Sequence, residues 1–238
     1  MLLHPWTFED VPTMTAHFVN LLDDLRRRSL RMASQVEDLL QESCESIFQL
    51  DETLARRVVA RDEEIDNEEV EVETEVIRLM ALYQPVGIDL RLLCTVLKVN
   101  NDLERIADCA VNIAERAKHL EVQPLANENG DLKQLVPVVR RALRNAVHSY
   151  SREDADLART VLREESAIDA IYAQIVRRIV ALAPATPEAM AGHLDLLSIA
   201  KNLERIADHA TNIAEDVIFV TSGSIVRHRA SERLPRDR

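Results

Sequence analysis

Thirteen residues beginning at Leu103, LERIADCAVNIAE, recur as LERIADHATNIAE beginning at Leu203, with eleven of the thirteen identical. A repeated core face would need only apolar residues, yet this repeat also keeps three acids and an asparagine. Glu104 and Asp108 form one acidic pair and Glu204 and Asp208 the other. Upstream, DEEID at 62–66 aligns with EESAID at 164–169, setting Asp62 on Glu165 and Asp66 on Asp169. On an α-helix, positions four apart lie about 40° from one another around the axis, so each pair stacks on one face. Like charges so placed oppose the helix by about 0.2–0.5 kcal/mol per pair, and an attraction must offset them. If two such pairs converge from facing helices, four carboxylates meet, with Asn101, Asn112 and Glu115 on the same arc as Glu104 and Asp108. All-oxygen sites of that kind suit hard cations such as Mg²⁺, Ca²⁺, Mn²⁺ or oxidised iron.

Two plainer readings compete. Acids at i and i+4 are common on solvated helices, and arginines can neutralise them: Arg105 and Arg205 adjoin the motifs, with Arg61, Arg163, Arg140 and Arg141 near in the pattern. Asp62, Asp66, Glu69 and Glu73 share one stripe, but the counterparts of the last two are Tyr172 and Val176. Only the paired positions recur. An adjacent arc holds Val96, Leu103, Ala107, Ala110 and Ala114, so the acids border a core instead of pointing away from it.

The elements that must carry these residues are helices. Apolar residues make up 47% of the 238, aromatics only 3% and glycines number four, a composition that favours helix over sheet. Spacings of three and four from Phe18 to Leu40 predict a first helix over about 13–48. Asp51 before ETL reads as the N-cap of a second, ending at Tyr83 because Gln84 precedes Pro85. A third covers roughly 89–119. Further helices are expected at 131–152, with Pro137 displacing or kinking its first turn, at 154–183, and at 187–220 after a Thr186 cap. The repeat offset is 103 residues early and 100 later, the difference falling in the turn between helices, where length changes are tolerated. The expected organisation is all-α, two tandem antiparallel three-helix bundles: an extension over 1–12, a first repeat over 13–120, a linker over 121–130, a second repeat over 131–220, and a basic tail over 221–238 predicted to be disordered.

Several classes are disfavoured. A net charge of −12 repels nucleic acid. The tail alone, with five arginines against Glu232 and Asp237, reaches +3. No run approaches the roughly 20 apolar residues of a membrane span, and MLLHPWTFEDVP lacks the pattern of a signal peptide, so a cytoplasmic protein is expected. Cys44, Cys94 and Cys109 read as reduced packing thiols. Catalysis is not expected: GxSxG and P-loop patterns are missing, and so is the ExxH of di-iron bundles. His209 stands where the other repeat has Cys109 and reads as a packing or surface residue. A metal-storage bundle or di-iron oxidoreductase remains the alternative class.

The doubled motif, DEEID and QPVGIDLR at 84–91 together resemble the PhoU family of phosphate-signalling regulators, over about residues 13–220. The resemblance implies a PhoU-like tandem bundle and a non-enzymatic regulator of phosphate uptake. Its implied partners are the ATPase subunit of the phosphate ABC transporter and a sensor histidine kinase, with peripheral membrane association only through them. It also implies metal ligation, by iron or other cations including zinc, on E/DxxxD motifs. Those motifs fall on Asp62, Asp66, Glu104, Asp108, Glu165, Asp169, Glu204 and Asp208. Gln84, Pro85, Asp89, Leu90 and Arg91 match the family's turn motif, which the second repeat lacks. Long amphipathic helices make a homodimer the expected assembly.

Overall fold

The structure, a computed structural model, describes residues 16–120, 130–181 and 186–226. Among them every regular element is an α-helix: α1 (Ala16–Gln49), α2 (Glu52–Ala60), α3 (Asp62–Tyr83), α4 (Gly87–Leu120), α5 (Gly130–Arg152), α6 (Ala155–Ala181) and α7 (Pro187–Ser222). The expected extension, most of the expected linker, and the tail beyond Val226 lie outside the described residues.

The two halves build their first turns alike. Leu50 and Glu153 take left-handed φ values of 54° and 52°, and each is followed by an aspartate. The Asp51 carboxylate accepts from the Leu54 N–H at 3.0 Å, and the Asp154 carboxylate accepts from the N–H groups of Asp156 and Leu157, both at 3.0 Å. Each aspartate N–H in turn donates back to a serine carbonyl, Asp51 to Ser46 and Asp154 to Ser149. These bonds satisfy donors and acceptors that helix ends leave open.

The second leg of the first half departs from expectation. It is two helices, not one, because the Arg61 N–H donates to Val58 O at 3.1 Å, tightening one turn. The counterpart leg, α6, is continuous. Pro137 lies inside α5, which starts at Gly130, and the helix runs through it. Thr186 caps α7 through the Ala189 N–H at 3.2 Å, with Pro187 at the first position. That helix continues to Ser222, and Val226 packs against the core, so order extends past the predicted start of the tail.

The most extensive packing is between α4 and α7, the helices that carry the doubled motif. They run antiparallel: Lys98 meets Asp216, Asp102 meets His209, and Arg116 meets Asp195. One buried cluster is continuous across both halves, including Leu39, Leu103, Ile106, Leu143, Leu203 and Ile213. A smaller cluster of Phe18, Leu22, Val72, Val76, Leu79 and Leu93 closes the end of the first half.

Candidate metal centre

Each E/DxxxD pair lies on a helix that buries apolar residues one step away. On α3, Ile65 is buried between Asp62 and Asp66; on α4, Ile106 and Ala107 are buried between Glu104 and Asp108. The same arrangement recurs around Ile168 on α6 and around Ile206 and Ala207 on α7. Burial of these neighbours holds the acids at the rim of the core, where Asp62, Glu104, Asp108, Glu165 and Glu204 are partly buried and Asp66, Asp169 and Asp208 are exposed.

In each half the acids of one helix act on those of the other: Asp108 on Asp62 and Asp66 on Glu104 in the first, Asp169 and Glu165 on Asp208 in the second. In the first half, burial raises the Asp62 carboxyl above its ordinary range, and Asp66, Asp108 and Glu115 raise it further. Glu104 is pushed up to about 7, first by burial, then by Asp108, with Asp66 and Glu69 contributing and Arg105 opposing. In the second half Asp208 is pushed up to about 6 by burial, then by Glu204, Asp169 and Glu165, against Lys201. Glu165 is raised by burial, Asp169 and Glu215. Desolvation and like charge both disfavour the ionised forms, as expected of carboxylates gathered at a half-buried site.

The two sets differ in how their charge is met. Arg105 bridges Glu104 and Asp108 at 3.0 Å each. The arginine reading therefore holds at this position. Elsewhere it does not: Arg61 pairs with Glu42, Arg140 with Gln41, Arg141 with Glu164 and Arg163 with Thr160. In the second half a lysine intervenes, Lys201 Nζ standing 2.5 Å from Glu204. Among the described residues, carboxylate oxygens of Asp169, Glu204 and Asp208 lie within 4.8 Å of one another. In the first half, Asp62 Oδ1 is buried without a hydrogen-bond partner. The second-half triad is an all-oxygen donor set that fits a hard cation, and the first half offers the orphaned Asp62 oxygen but no comparably close group among the described residues.

Three further acids belong to these surroundings: Glu69, Glu115 and Glu215. The last two end the doubled NIAE, a recurrence that marks them as firmly as it marks Glu104 and Asp108. Asn112 turns its amide to the Asp108 backbone carbonyl at 2.8 Å.

Between the halves lies a cleft of about 850 Å³, whose lining includes Glu69, Glu73, Lys98, Asp102, Asp208 and Glu215. Asp102, buried, accepts from His209 Nδ1 at 2.8 Å and from the Asn212 amide at 3.1 Å. His209 is thus neither a core filler nor a free surface residue; it ties the two halves together. Cys44 and Cys109 are buried thiols, pushed by desolvation to about 12 and about 11, which leaves them unreactive near neutral pH.

Two helical repeats, each with an acidic quartet at the rim of its core, define a class of tandem α-bundle proteins. The chain matches the PhoU domain twice, over residues 29–117 and 132–217, and belongs to the PhoU domain family. It is 34% identical over 214 residues to the phosphate-specific transport system accessory protein PhoU homolog of Pseudomonas putida, spanning 90% of this chain and 84% of that relative. The protein of the same description from Pseudomonas aeruginosa is 32% identical, spanning 91% of this chain and 90% of its own length. The crystal structure of PhoU from Pseudomonas aeruginosa superposes with a TM-score of 0.80 at 31% identity, covering 87% of this chain and all of that one. No helix among the described residues is long and apolar enough to cross a membrane.

Proposed function

We propose that this chain is a non-enzymatic cytoplasmic regulator of phosphate uptake and phosphate-starvation signalling. It acts as a homodimeric adaptor between the ATPase subunit of a phosphate ABC transporter and a sensor histidine kinase. The observation that carries this reading is the double match to the PhoU domain along a chain whose named relatives are accessory proteins of phosphate-specific transport. Long exposed helical faces support a role in helix-to-protein recognition, and the charge of −12 disfavours promoter DNA. Co-purification with tagged ATPase subunit and tagged kinase, at high and at low phosphate, tests the adaptor. Retention on both is expected; retention on neither under either condition would remove the reading.

The two acidic quartets are the metal-binding part of the proposal. Asp62, Asp66, Glu104 and Asp108 would hold one cation site, and Glu165, Asp169, Glu204 and Asp208 the other. A bound cation supplies positive charge that offsets the repulsion among the carboxylates. Arg105 and Lys201 set the competition: each already neutralises part of its quartet and must yield to a cation. Thermal unfolding of metal-stripped protein is the direct check. Added Mn²⁺ or Fe³⁺ should raise the Tm and chelator should reverse the rise, whereas identical melting curves would leave arginine and lysine pairing as the whole account.

A further inference from the structure

Helix α3 carries a feature that the acidic quartets do not explain. Ile65, Val72, Val76 and Leu79 pack inward. On the opposite side Val70 and Ile77 are 58% and 55% exposed, and Thr74 and Ala81 are exposed in line with them. At roughly 100° per residue, positions 70, 74, 77 and 81 fall within about 60° of one another. Steps of four, three and four are the spacing at which one helix seats another. Glu63, Asp66 and Glu73 border this seam, Asp66 shared with the first quartet and Glu73 with the cleft lining, and none has an ion-pair partner among the described residues. Along its length α3 holds nine acids against Arg78 alone.

The seam belongs to one repeat only. On α6, Ser166 and Val176 replace Glu63 and Glu73 and Arg177 replaces Thr74, so the equivalent face keeps Asp169 and the exposed Val180 but has lost two of the three bordering acids and gained a cation within the line. A second copy of the chain is a poor occupant, since α3 against α3 would oppose two strongly acidic faces in a protein already at −12. The geometry points to the outer face of α3 as a docking surface for a basic amphipathic helix of a partner protein. Such a helix has apolar residues at i, i+4 and i+7 and Lys or Arg beside them. This goes beyond the adaptor reading, because it concerns the chemistry the face selects and not the identity of the protein that brings it.

A labelled synthetic helix with Leu at i, i+4, i+7 and i+11 and flanking Lys tests this against the full chain by fluorescence anisotropy. A Glu-flanked counterpart serves as control. The Lys-flanked helix should bind, and should weaken as salt rises from about 0.05 to 0.5 M, where screening shortens to a few Å. Val70→Lys with Ile77→Lys should weaken it about ten-fold or more, as expected for loss of central anchors. Val180→Lys on α6 should leave it unchanged. If the double variant melts below wild type, Ile77→Ser, which adds no charge at an exposed site, should still weaken binding several-fold. Absence of binding, equal binding of the Glu-flanked helix, or unaltered affinity in the α3 variants would overturn the proposal. Sedimentation showing that the α3 variants break a dimer would overturn it too, by giving the face to a second copy.

Discussion

Glu104 and Asp208 are single carboxyl groups whose surroundings work against ionisation. The folded protein holds Glu104 up to about 7 from an ordinary 4.5, and Asp208 up to about 6 from 3.8. Between the ordinary and the raised values the folded state binds more protons than the unfolded one, so stability falls as pH rises through that window. Metal-free protein should therefore melt lower at pH about 7.5 than at about 5 from these two groups, and Glu104→Gln should flatten the upper part of that slope. Calorimetric melting across the range checks this; a Tm rising with pH in wild type and unaltered in the variant would contradict it. At this scale the sequence was informative wherever residues recurred. Recurrence at i and i+4 fixes the face of each acidic pair on its own helix but not the meeting of two helices, and among the described residues the oxygens that come within 4.8 Å of one another are those of Asp169, Glu204 and Asp208. Partners were less legible. Arg105 reaches back to its own helix, while Arg205 forms no ion pair among the described residues, and identical motif letters gave no sign of that asymmetry.

Helix boundaries were read well where capping chemistry is local. Asp51 and Thr186 cap as their sequence contexts imply, and Gln84 ends α3 in a left-handed conformation at φ 46° before Pro85. Asp51→Ala should cost about 1 kcal/mol of stability, the usual range for a lost N-cap, measured by denaturant unfolding. A loss below a few tenths of a kcal/mol would mean that the cap bond does not hold the turn. The break at Arg61 was not legible. Leu54, Ala55 and Val58 before it and Ile65 after it keep helical phase, and neither Pro nor Gly marks the site. A tightened turn that leaves periodicity intact is invisible to a pattern of apolar residues. The outer seam of α3 was hidden for a related reason: the acids dominate its composition, and only the packed structure shows which apolar residues stay outside.

At the scale of the molecule the halves are not independent beads. Their apolar faces merge into one buried cluster along α4 and α7, as thin three-helix units require of a neighbour. The contact is also polar. Asp216, 2% exposed, receives Lys98 at 3.0 Å, and Asp102 holds His209 and Asn212. These pairings span more than one hundred residues, so no spacing rule could have found them. Asp102→Ala would strand the His209 and Asn212 donors in a nearly buried place. It should lower global stability by about 1–3 kcal/mol, while retention of full stability would show that water replaces the lost acceptor. Of the quartet acids proposed to hold cations, Glu165 and Asp208 line the inter-repeat cleft, together with Glu69 and Glu73 of the first half. The most direct test is elemental analysis after equilibrium dialysis against Mn²⁺, comparing wild type, Glu104→Gln with Asp108→Asn, and Glu204→Gln with Asp208→Asn. Wild type should retain cation at both quartets, and each double variant should lose its own share while circular dichroism reports unchanged helix. Wild type retaining none, or both variants retaining as much as wild type, would contradict the account.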